Sequence, residues 1–288
     1  MAIAVASIST GTYSSGNPAY SVAISKPSGL AVGDLMIAYI NGKGNSYVAP
    51  STVPTGFTLI RHQDYGFGTT NDVSTYYKIA DSSDVAASTF TWGSTVTGGG
   101  TIGGSLLRIT GALSTIDQST SNNAGNTSSP AIGPLTPTYP NSLLLFGVCT
   151  HAISGSVAVG SYAIATDNPT WTEQVDTQSG VLAHAIASAV RPESTATGNW
   201  SASISGGGIY YVGLSTMIIS AIVDATVTPD PVAVTITIPT PTVQQGQTVS
   251  ASAVSVTITV PTPSVSKNPT WSNGAKTSAP TWVNEDKS

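Results

Sequence analysis

Cysteine and charge are the scarcest features of this 288-residue chain. A single cysteine, Cys149, excludes an internal disulfide framework and any metal site that needs several thiolates. The chain has 9 Lys or Arg and 14 Asp or Glu, so 8% of its residues are charged, against about 25% in ordinary soluble domains. Nine cations and a net charge of −5 provide no basic surface for a phosphate backbone or an anionic membrane. We therefore expect neither nucleic acid nor a membrane among its partners.

Long apolar runs are missing as well. The longest, Leu35–Ile40 and Leu143–Cys149, are too short for a membrane span, which needs about 20 residues. The N-terminal sequence MAIAVASISTGTYSSG has no positively charged start and no continuous apolar stretch of signal-peptide length. We predict a protein that is made in the cytoplasm and reaches any other location without ordinary secretion.

Short β-branched and aromatic runs, separated by Gly, Pro, Asn and Ser, make up most of the sequence. Only Val181–Val190 is compatible with either a helix or a buried strand. The pattern predicts an antiparallel all-β sandwich or barrel. Besides Val181–Val190, the predicted strands are Tyr20–Ile24, Asp34–Asn41, Thr58–His62, Val73–Ala80, Thr89–Trp92, Ser105–Ile109, Ser142–Thr150, Val157–Ala165, Thr170–Gln174, Asn199–Ile204 and Tyr210–Ile222.

Residues 1–225 contain two similar halves, at about 15–116 and 130–222, joined by the polar linker Asp117–Ser129. They form either two sandwiches side by side or one large sandwich, and the continuous apolar strands favour one large sandwich, because strands buried on both faces have that composition. The matching segments are Gly33–Ile37 with Asn141–Leu145, Pro54–Thr58 with Asn168–Thr172, Tyr77–Ala80 with His184–Ala187, and Phe90–Trp92 with Gly198–Trp200.

The C-terminal tail, residues 226–288, is built from shorter repeats. VTITIPTPTV at 234–243 recurs as VTITVPTPSV at 256–265, and NPTWSN at 268–273 recurs as APTWVN at 279–284. A five-residue strand closed by Pro-Thr-Pro cannot bury its apolar face alone. We therefore predict that the tail packs on another polypeptide through a set of apolar residues. These candidate assembly contacts are Val234, Ile236, Ile238, Val256, Ile258, Val260, Trp271 and Trp282.

The residues that could take part in catalysis or bind a metal are scattered along the sequence. His184 lies in an apolar run and is interpreted as a core residue, whereas His62 and His151 end predicted strands and are expected to be exposed. Asp34 and Ser142 are interpreted as turn-capping groups. No Ser lies in a nucleophile elbow, and no His pair has metal-ligand spacing. We expect no enzymatic activity, cofactor or metal site.

Aromatic residues cluster around the segment Arg61–Thr70. Tyr and Trp rings stack on sugars and anchor interfaces, so Tyr65 and Phe67 are candidate contacts for a receptor or glycan. The alternative is that this cluster, which includes Tyr76 and Tyr77, packs in the core.

The order of four motifs resembles a β-sandwich domain of bacteriophage virion proteins and some bacterial surface proteins. These motifs are Gly33–Ala38 (GDLMIA), Pro54–Leu59 (PTGFTL), Tyr76–Ala80 (YYKIA) and Thr89–Trp92 (TFTW). Phe57 stands where the family usually has Trp, and Trp171 restores the Trp in the second half. The C-terminal PTW–N–K repeats are similar to short tail repeats of phage structural proteins. The resemblance implies a jelly-roll-like sandwich and supplies no catalytic residues.

Three functions are therefore compared. The first is a non-enzymatic virion structural protein, as a head decoration, head fibre or tail component, which is expected to form a homo-oligomer such as a trimer and to bind other virion proteins through its tail. The second is a receptor- or glycan-binding adhesin of a tail fibre, which would use Tyr65 and Phe67 on a host surface glycan. The third is a polysaccharide-degrading enzyme, which would need a pair of carboxylates drawn from Asp64, Asp72 and Glu173.

Overall fold

A computed structural model describes residues 2–17, 19–44, 49–64, 70–95, 100–152, 157–179, 182–206 and 209–222. The chain divides into two units, Met1–Val227 and Thr228–Ser288, and all described residues belong to the first. Within them the fold is an antiparallel all-β sandwich, as the sequence predicts. The tail and the loop residues Tyr65 and Phe67 lie outside the described residues.

The first half contains seven strands and one short helix. They are β1 (Ala4–Gly16), β2 (Ala19–Ser25), β3 (Leu35–Gly44), β4 (Thr58–Asp64), β5 (Thr70–Ile79), α1 (Ser82–Ala86), β6 (Thr89–Thr95) and β7 (Gly100–Thr110). The large sheet has the order β1-β7-β3-β5-β4, and β2 pairs with β6 in a small sheet. Thr52 adds an isolated bridge to Gly93 of β6. This is a jelly-roll order in which the strand after the bridge, β4, has joined the large sheet.

The second half repeats this order with eight strands. They are β8 (Gln118–Gly125), β9 (Ala131–Ile132), β10 (Ser142–Ala152), β11 (Val157–Ile164), β12 (Thr172–Ser179), β13 (Leu182–Arg191), β14 (Trp200–Gly206) and β15 (Ile209–Ile219). The large sheet runs β8-β15-β10-β13-β12 and the small sheet β9-β14-β11. β11 is the full strand that corresponds to the single Thr52 bridge of the first half.

The residue pairing confirms most of the predicted correspondence. Leu35 pairs with Ile79 and Ile109, and Leu143 pairs with Val190 and Ile219, so the central strands β3 and β10 are equivalent. One segment is different. Thr58 pairs with Tyr77 and Thr172 pairs with Ser188, so Tyr77 is equivalent to Ser188 and not to His184. The repeated small apolar residues of β13 make its alignment ambiguous by an even number of residues, which keeps the same face.

Three layers of core hold the body together. One core fills the first sandwich, around Trp92, and another fills the second, around Trp200. The third lies between the two large sheets and contains Leu35, Ile37 and Tyr39 from β3 with Leu143 and Leu145 from β10. Each half therefore closes its own sandwich, and the halves pack through their large sheets, which differs from the favoured single large sandwich. The continuous apolar strands are explained because β3 and β10 are buried on both faces.

Three strands were not predicted, namely β1, β8 and the two-residue strand β9. β1 lies before the expected start of the first half, and β8 lies inside the segment interpreted as a linker. Both are rich in Ser, Thr, Asn and Gly, and both occupy an edge of a large sheet. The sequence of Val181–Val190 is compatible with a helix or a buried strand, and the structure has Leu182–Arg191 as the strand β13.

Candidate functional site

The proposed contact residues all lie outside the residues that the structure describes. Tyr65 and Phe67 fall in the segment between β4 and β5, outside the described residues, and so do all eight tail residues, Val234, Ile236, Ile238, Val256, Ile258, Val260, Trp271 and Trp282. Their proposed roles remain predictions. The neighbouring aromatics favour the core alternative, because Tyr76 is buried beside Trp92, with ring centroids 6.5 Å apart, and Tyr77 is partly buried against the core between the halves.

His184 is a buried core residue, as predicted, and it is the centre of a polar cluster. Its Nδ1 lies 2.9 Å from the hydroxyl of Tyr13, and its Nε2 lies 2.7 Å from Oγ of Ser105. Asn41 donates from Nδ2 to the Tyr13 hydroxyl at 2.6 Å, and Thr10 Oγ1 lies 3.0 Å from Ser105 Oγ. We call these five residues the His184 cluster.

The Ser105–His184 contact has the geometry of a nucleophile and its base. Its surroundings do not suit catalysis, because Ser105 is 0% and His184 is 1% exposed, so a substrate has no access to Ser105 Oγ. Burial also lowers the pKa of His184 to about 4, so the imidazole is neutral at pH 7. The cluster therefore joins the two halves, since four members come from the first half and His184 from the second.

The expectation that His62 and His151 are exposed is wrong for His151 and only partly right for His62. His151 is buried, because β10 continues to Ala152, and burial together with Lys43 lowers its pKa to about 4. His62 is half-buried on β4, where its Nδ1 lies 3.0 Å from Ser74 Oγ, and burial lowers its pKa. Both predicted strands end too early, because β4 continues to Asp64 and β10 continues to Ala152.

Asp34 and Ser142 cap turns, as predicted. Asp34 Oδ2 accepts a hydrogen bond from the backbone N–H of Ala31 at 2.8 Å and from Arg108 Nε at 2.6 Å. Ser142 Oγ donates to the carbonyl of Tyr139 at 2.7 Å. Both groups stabilise the entry to a central strand of a large sheet.

The carboxylates of the enzyme hypothesis are only partly dispersed. Asp64 and Asp72 are cross-strand partners on β4 and β5, and Glu173 lies on β12 of the other half. Asp72 is 0% exposed, and it is not available to an external substrate. Burial, with the nearby charge of Asp176, raises the pKa of Glu173, and burial raises the pKa of Asp176. Asp176 accepts a hydrogen bond from the backbone of Val159, which ties it to the small sheet.

Two further acids, Asp81 and Asp84, cap the N-terminus of the short helix α1. They form a capping box in which Asp81 accepts from the N–H of Asp84 and Asp84 accepts from the N–H of Asp81. Hydrogen bonds from Ser83 and then Lys78 lower the pKa of Asp81. In the part of the chain that the structure describes, no three His, Cys, Asp or Glu side chains form a group that could hold a metal ion.

Five cations of the described residues bind other groups of the body. Burial disfavours the charged form of Lys78, but its contacts with Asp84 at 2.7 Å and Asp81 at 3.1 Å raise its pKa overall. Arg191, 1% exposed, donates to Asp167 at 2.8 Å and holds the pKa of that carboxyl below its usual range. The other cations bound in this way are Lys26 on the carbonyl of Val85, Arg61 on Ser119, and Arg108 on Asp34.

Two open grooves flank the interface between the halves. One, of about 680 Å³, lies between β4 and the start of β8 and includes Leu59, Arg61 and Gln118. The other, of about 720 Å³, lies between β12 and the start of β1 and includes Val5, Gln174 and Val190. They occupy equivalent positions, because β4 corresponds to β12 and β8 to β1. Strand β4 in the first groove and strand β12 in the second each carry a β-bulge, which disfavours the addition of another strand at that edge.

None of the helices among the described residues is long and apolar enough to cross a membrane. The chain matches no protein-family model, no curated protein and no solved structure. The resemblance to phage virion proteins therefore stays a hypothesis that depends on the motifs in the sequence.

Proposed function

We propose that this chain is a non-enzymatic structural protein of a bacteriophage particle, displayed on the particle surface and held there by its C-terminal repeats. The observation that carries the proposal is the pair of Val/Ile–Thr segments at 234–238 and 256–260, each with an apolar face that five residues cannot bury alone. The tail would bind neighbouring copies, in a homo-oligomer such as a trimer, or other head or tail proteins. Strand addition between chains is an established mode of such binding.

The body supports a structural role. Jelly-roll sheets recur in viral capsid domains, and here two jelly-roll sandwiches share a third core. The charged and titratable side chains described above bind other parts of the body, as Lys78, Arg108 and Arg191 do. The scarcity of charge also fits a surface that resists nonspecific attraction to nucleic acid.

The alternative is an adhesin that binds a receptor or glycan. Jelly rolls also occur in lectin domains, and Tyr65 and Phe67 belong to the connection between two strands of a large sheet. Replacing both by Ala in the full chain should abolish binding to host cells if the adhesin hypothesis is correct. Unchanged binding would leave these residues without a recognition role.

The structural proposal is tested with matched variants of the full-length chain. Ile236→Ser with Ile258→Ser alters the apolar face of the repeats, and Thr235→Ser with Thr257→Ser alters the opposite face. We expect light scattering after size-exclusion chromatography to give an oligomer for the wild type and the Thr variant, and a monomer for the Ile variant. In particles of the phage that encodes the chain, mass spectrometry should detect the Thr variant but not the Ile variant. A monomeric wild type that is missing from particles would contradict the proposal.

A further inference from the structure

The His184 cluster joins the two halves by a single side chain from the second half. His184 reaches from β13 to Tyr13 of β1 and Ser105 of β7, at 2.9 and 2.7 Å. Its position is asymmetric, because the residue that corresponds to His184 in the first half is Val73. The cluster is therefore present once and not twice at the interface.

The hydrogen bonds of the cluster have a defined direction. The Nδ2 of Asn41 can only donate, so the Tyr13 hydroxyl accepts from it, and in the tautomer with the proton on Nε2 the hydroxyl donates to Nδ1 of His184. Nε2 then carries the proton of the neutral ring and donates to Ser105 Oγ. A second proton on His184 would occupy Nδ1 and remove the acceptor of the Tyr13 hydroxyl.

The surroundings offer no compensating negative charge. The titratable groups near the ring are Tyr13 and Cys149, the cross-strand partner of His184, and burial raises the pKa of both, so both are neutral. Tyr39 lies near Cys149 from the other sheet and is also neutral, because burial raises its pKa. Two residues beyond Cys149, His151 lies near the cation Lys43. Burial is the cause that lowers the pKa of His184 to about 4.

A proton can nevertheless reach the ring along the cluster. Thr10 is exposed on β1, and its hydroxyl lies 3.0 Å from Ser105 Oγ, which in turn contacts His184. Each half also has a core of its own, around Trp92 or Trp200, both 0% exposed. The interface can therefore loosen without loss of either sandwich.

We propose that the His184 cluster is an acid-sensitive latch: a proton on His184 opens the interface between the two halves while each half keeps its own core. The closed form binds this proton more weakly than the open form, so acid favours opening. With a pKa of about 4 when closed and 6.5 when open, the open fraction rises on the order of tenfold between pH 7 and pH 5.

The single cysteine makes the opening measurable in the full-length protein. Cys149 is 2% exposed in the core between the halves, so its reaction with 4,4′-dithiodipyridine, which labels thiols in mild acid, reports opening. Each rate is divided by the rate for the denatured chain at the same pH. Tryptophan emission, measured with Trp271 and Trp282 replaced by Phe, comes from Trp92, Trp171 and Trp200, which lie in or pack against the two inner cores. We expect labelling to accelerate on the order of tenfold from pH 7 to pH 5 with constant emission.

Variants assign the effect to the cluster. His184→Gln should reduce the pH dependence on the order of tenfold, and His62→Gln, a matched change on a half-buried histidine of β4, should leave it intact. His151→Gln should remove only the part of the pH dependence that comes from His151, because that ring is also buried, beside Lys43, with a pKa lowered to about 4. If His184→Gln fails to fold, Tyr13→Phe carries the test, because loss of the hydroxyl that donates to Nδ1 should accelerate labelling on the order of tenfold at pH 7.

Several results would overturn the latch. A normalised labelling rate that is constant from pH 7 to pH 5 would do so, and so would a shift in tryptophan emission that accompanies the labelling, since it indicates unfolding of the whole body. A pH dependence that is unchanged in His184→Gln, or that His151→Gln removes entirely, would assign the proton to another group.

Discussion

The two halves share one strand order but meet each other through different residues. Tyr39 of β3 and Gly147 of β10 are equivalent, and a Cβ on Gly147 would contact the Tyr39 ring. Two tyrosines at this place would collide, and two glycines would leave a void. The comparison teaches that a duplicated fold can keep its hydrogen-bonded framework while its shared interface becomes asymmetric, because packing at an interface depends on pairs of side chains.

A second difference concerns the connections around the edge strands. In the first half, Lys78 of β5 binds the carbonyl of Thr55 before β4 and Asp84 of the helix after β5. In the second half, Arg191 of β13 binds Asp167 before β12 and carbonyls of Glu193 and Thr195 after β13. In both halves a buried cation therefore binds the connection before the edge strand and the connection after its neighbour. The first half uses a lysine and the second an arginine.

The largest expected effect tests whether the inner cores are equivalent. Trp92 and Trp200 are both 0% exposed, and each contacts a second aromatic ring, Phe57 at 5.2 Å or Trp171 at 5.8 Å. Trp92→Ala and Trp200→Ala should each lower the free energy of unfolding by about 4 kcal/mol, since both remove a large buried side chain. Chemical denaturation measures both values. A difference above about 2 kcal/mol would show that one sandwich dominates the stability.

The next prediction compares how much stability is lost when each of the two buried cations is removed. Arg191→Met should lower the free energy of unfolding by about 3 kcal/mol, because Asp167 and three carbonyls lose their donor. Lys78→Met should cost about 2 kcal/mol, since the buried Asp84 loses its cation but keeps the N–H of Asp81, and the exposed Asp81 keeps its bonds to α1. Thermal denaturation of the two variants shows which substitution lowers the stability more. A larger loss for Lys78→Met would contradict the comparison.

A smaller effect tests the asymmetric contact at the interface. Gly147→Ala should destabilise the protein by about 1–3 kcal/mol, because the Tyr39 ring must move to admit the new methyl group. Gly160→Ala is the matched control on β11, where no atom lies within 4 Å of the added Cβ, and it should change stability by under about 0.5 kcal/mol. Equal effects in denaturant titrations would mean that the interface has room to adjust.

The smallest effect concerns the two grooves. Leu59 is 46% and Val190 44% exposed, so neither contributes much to the core. Leu59→Ser and Val190→Ser should each change the free energy of unfolding by under about 0.5 kcal/mol. A loss above about 1 kcal/mol for one of them would show that its groove is covered by another part of the protein.

Much of the fold was predictable, and the candidate contacts were not placed. The apolar strands β3 and β10, the turn-capping Asp34 and Ser142, and the core position of His184 follow from local patterns. The His184 cluster was not predicted, because its members are up to 174 residues apart, from Thr10 to His184, and come from four strands. A lone histidine in an apolar run was the only signal in the sequence.

The sequence by itself determined the class of fold and the internal duplication, because a strand buried on both faces must be continuously apolar and a turn must carry Gly, Pro, Asn or Asp. Only the tertiary structure decided that β1 and β8 are strands. Their polar sequences have no apolar alternation, and they become strands because β7 and β15 offer them hydrogen-bonding partners at the sheet edges. The packing of the two large sheets against each other was decided in the same way, since it depends on complementary pairs such as Tyr39 and Gly147 that are far apart in the chain.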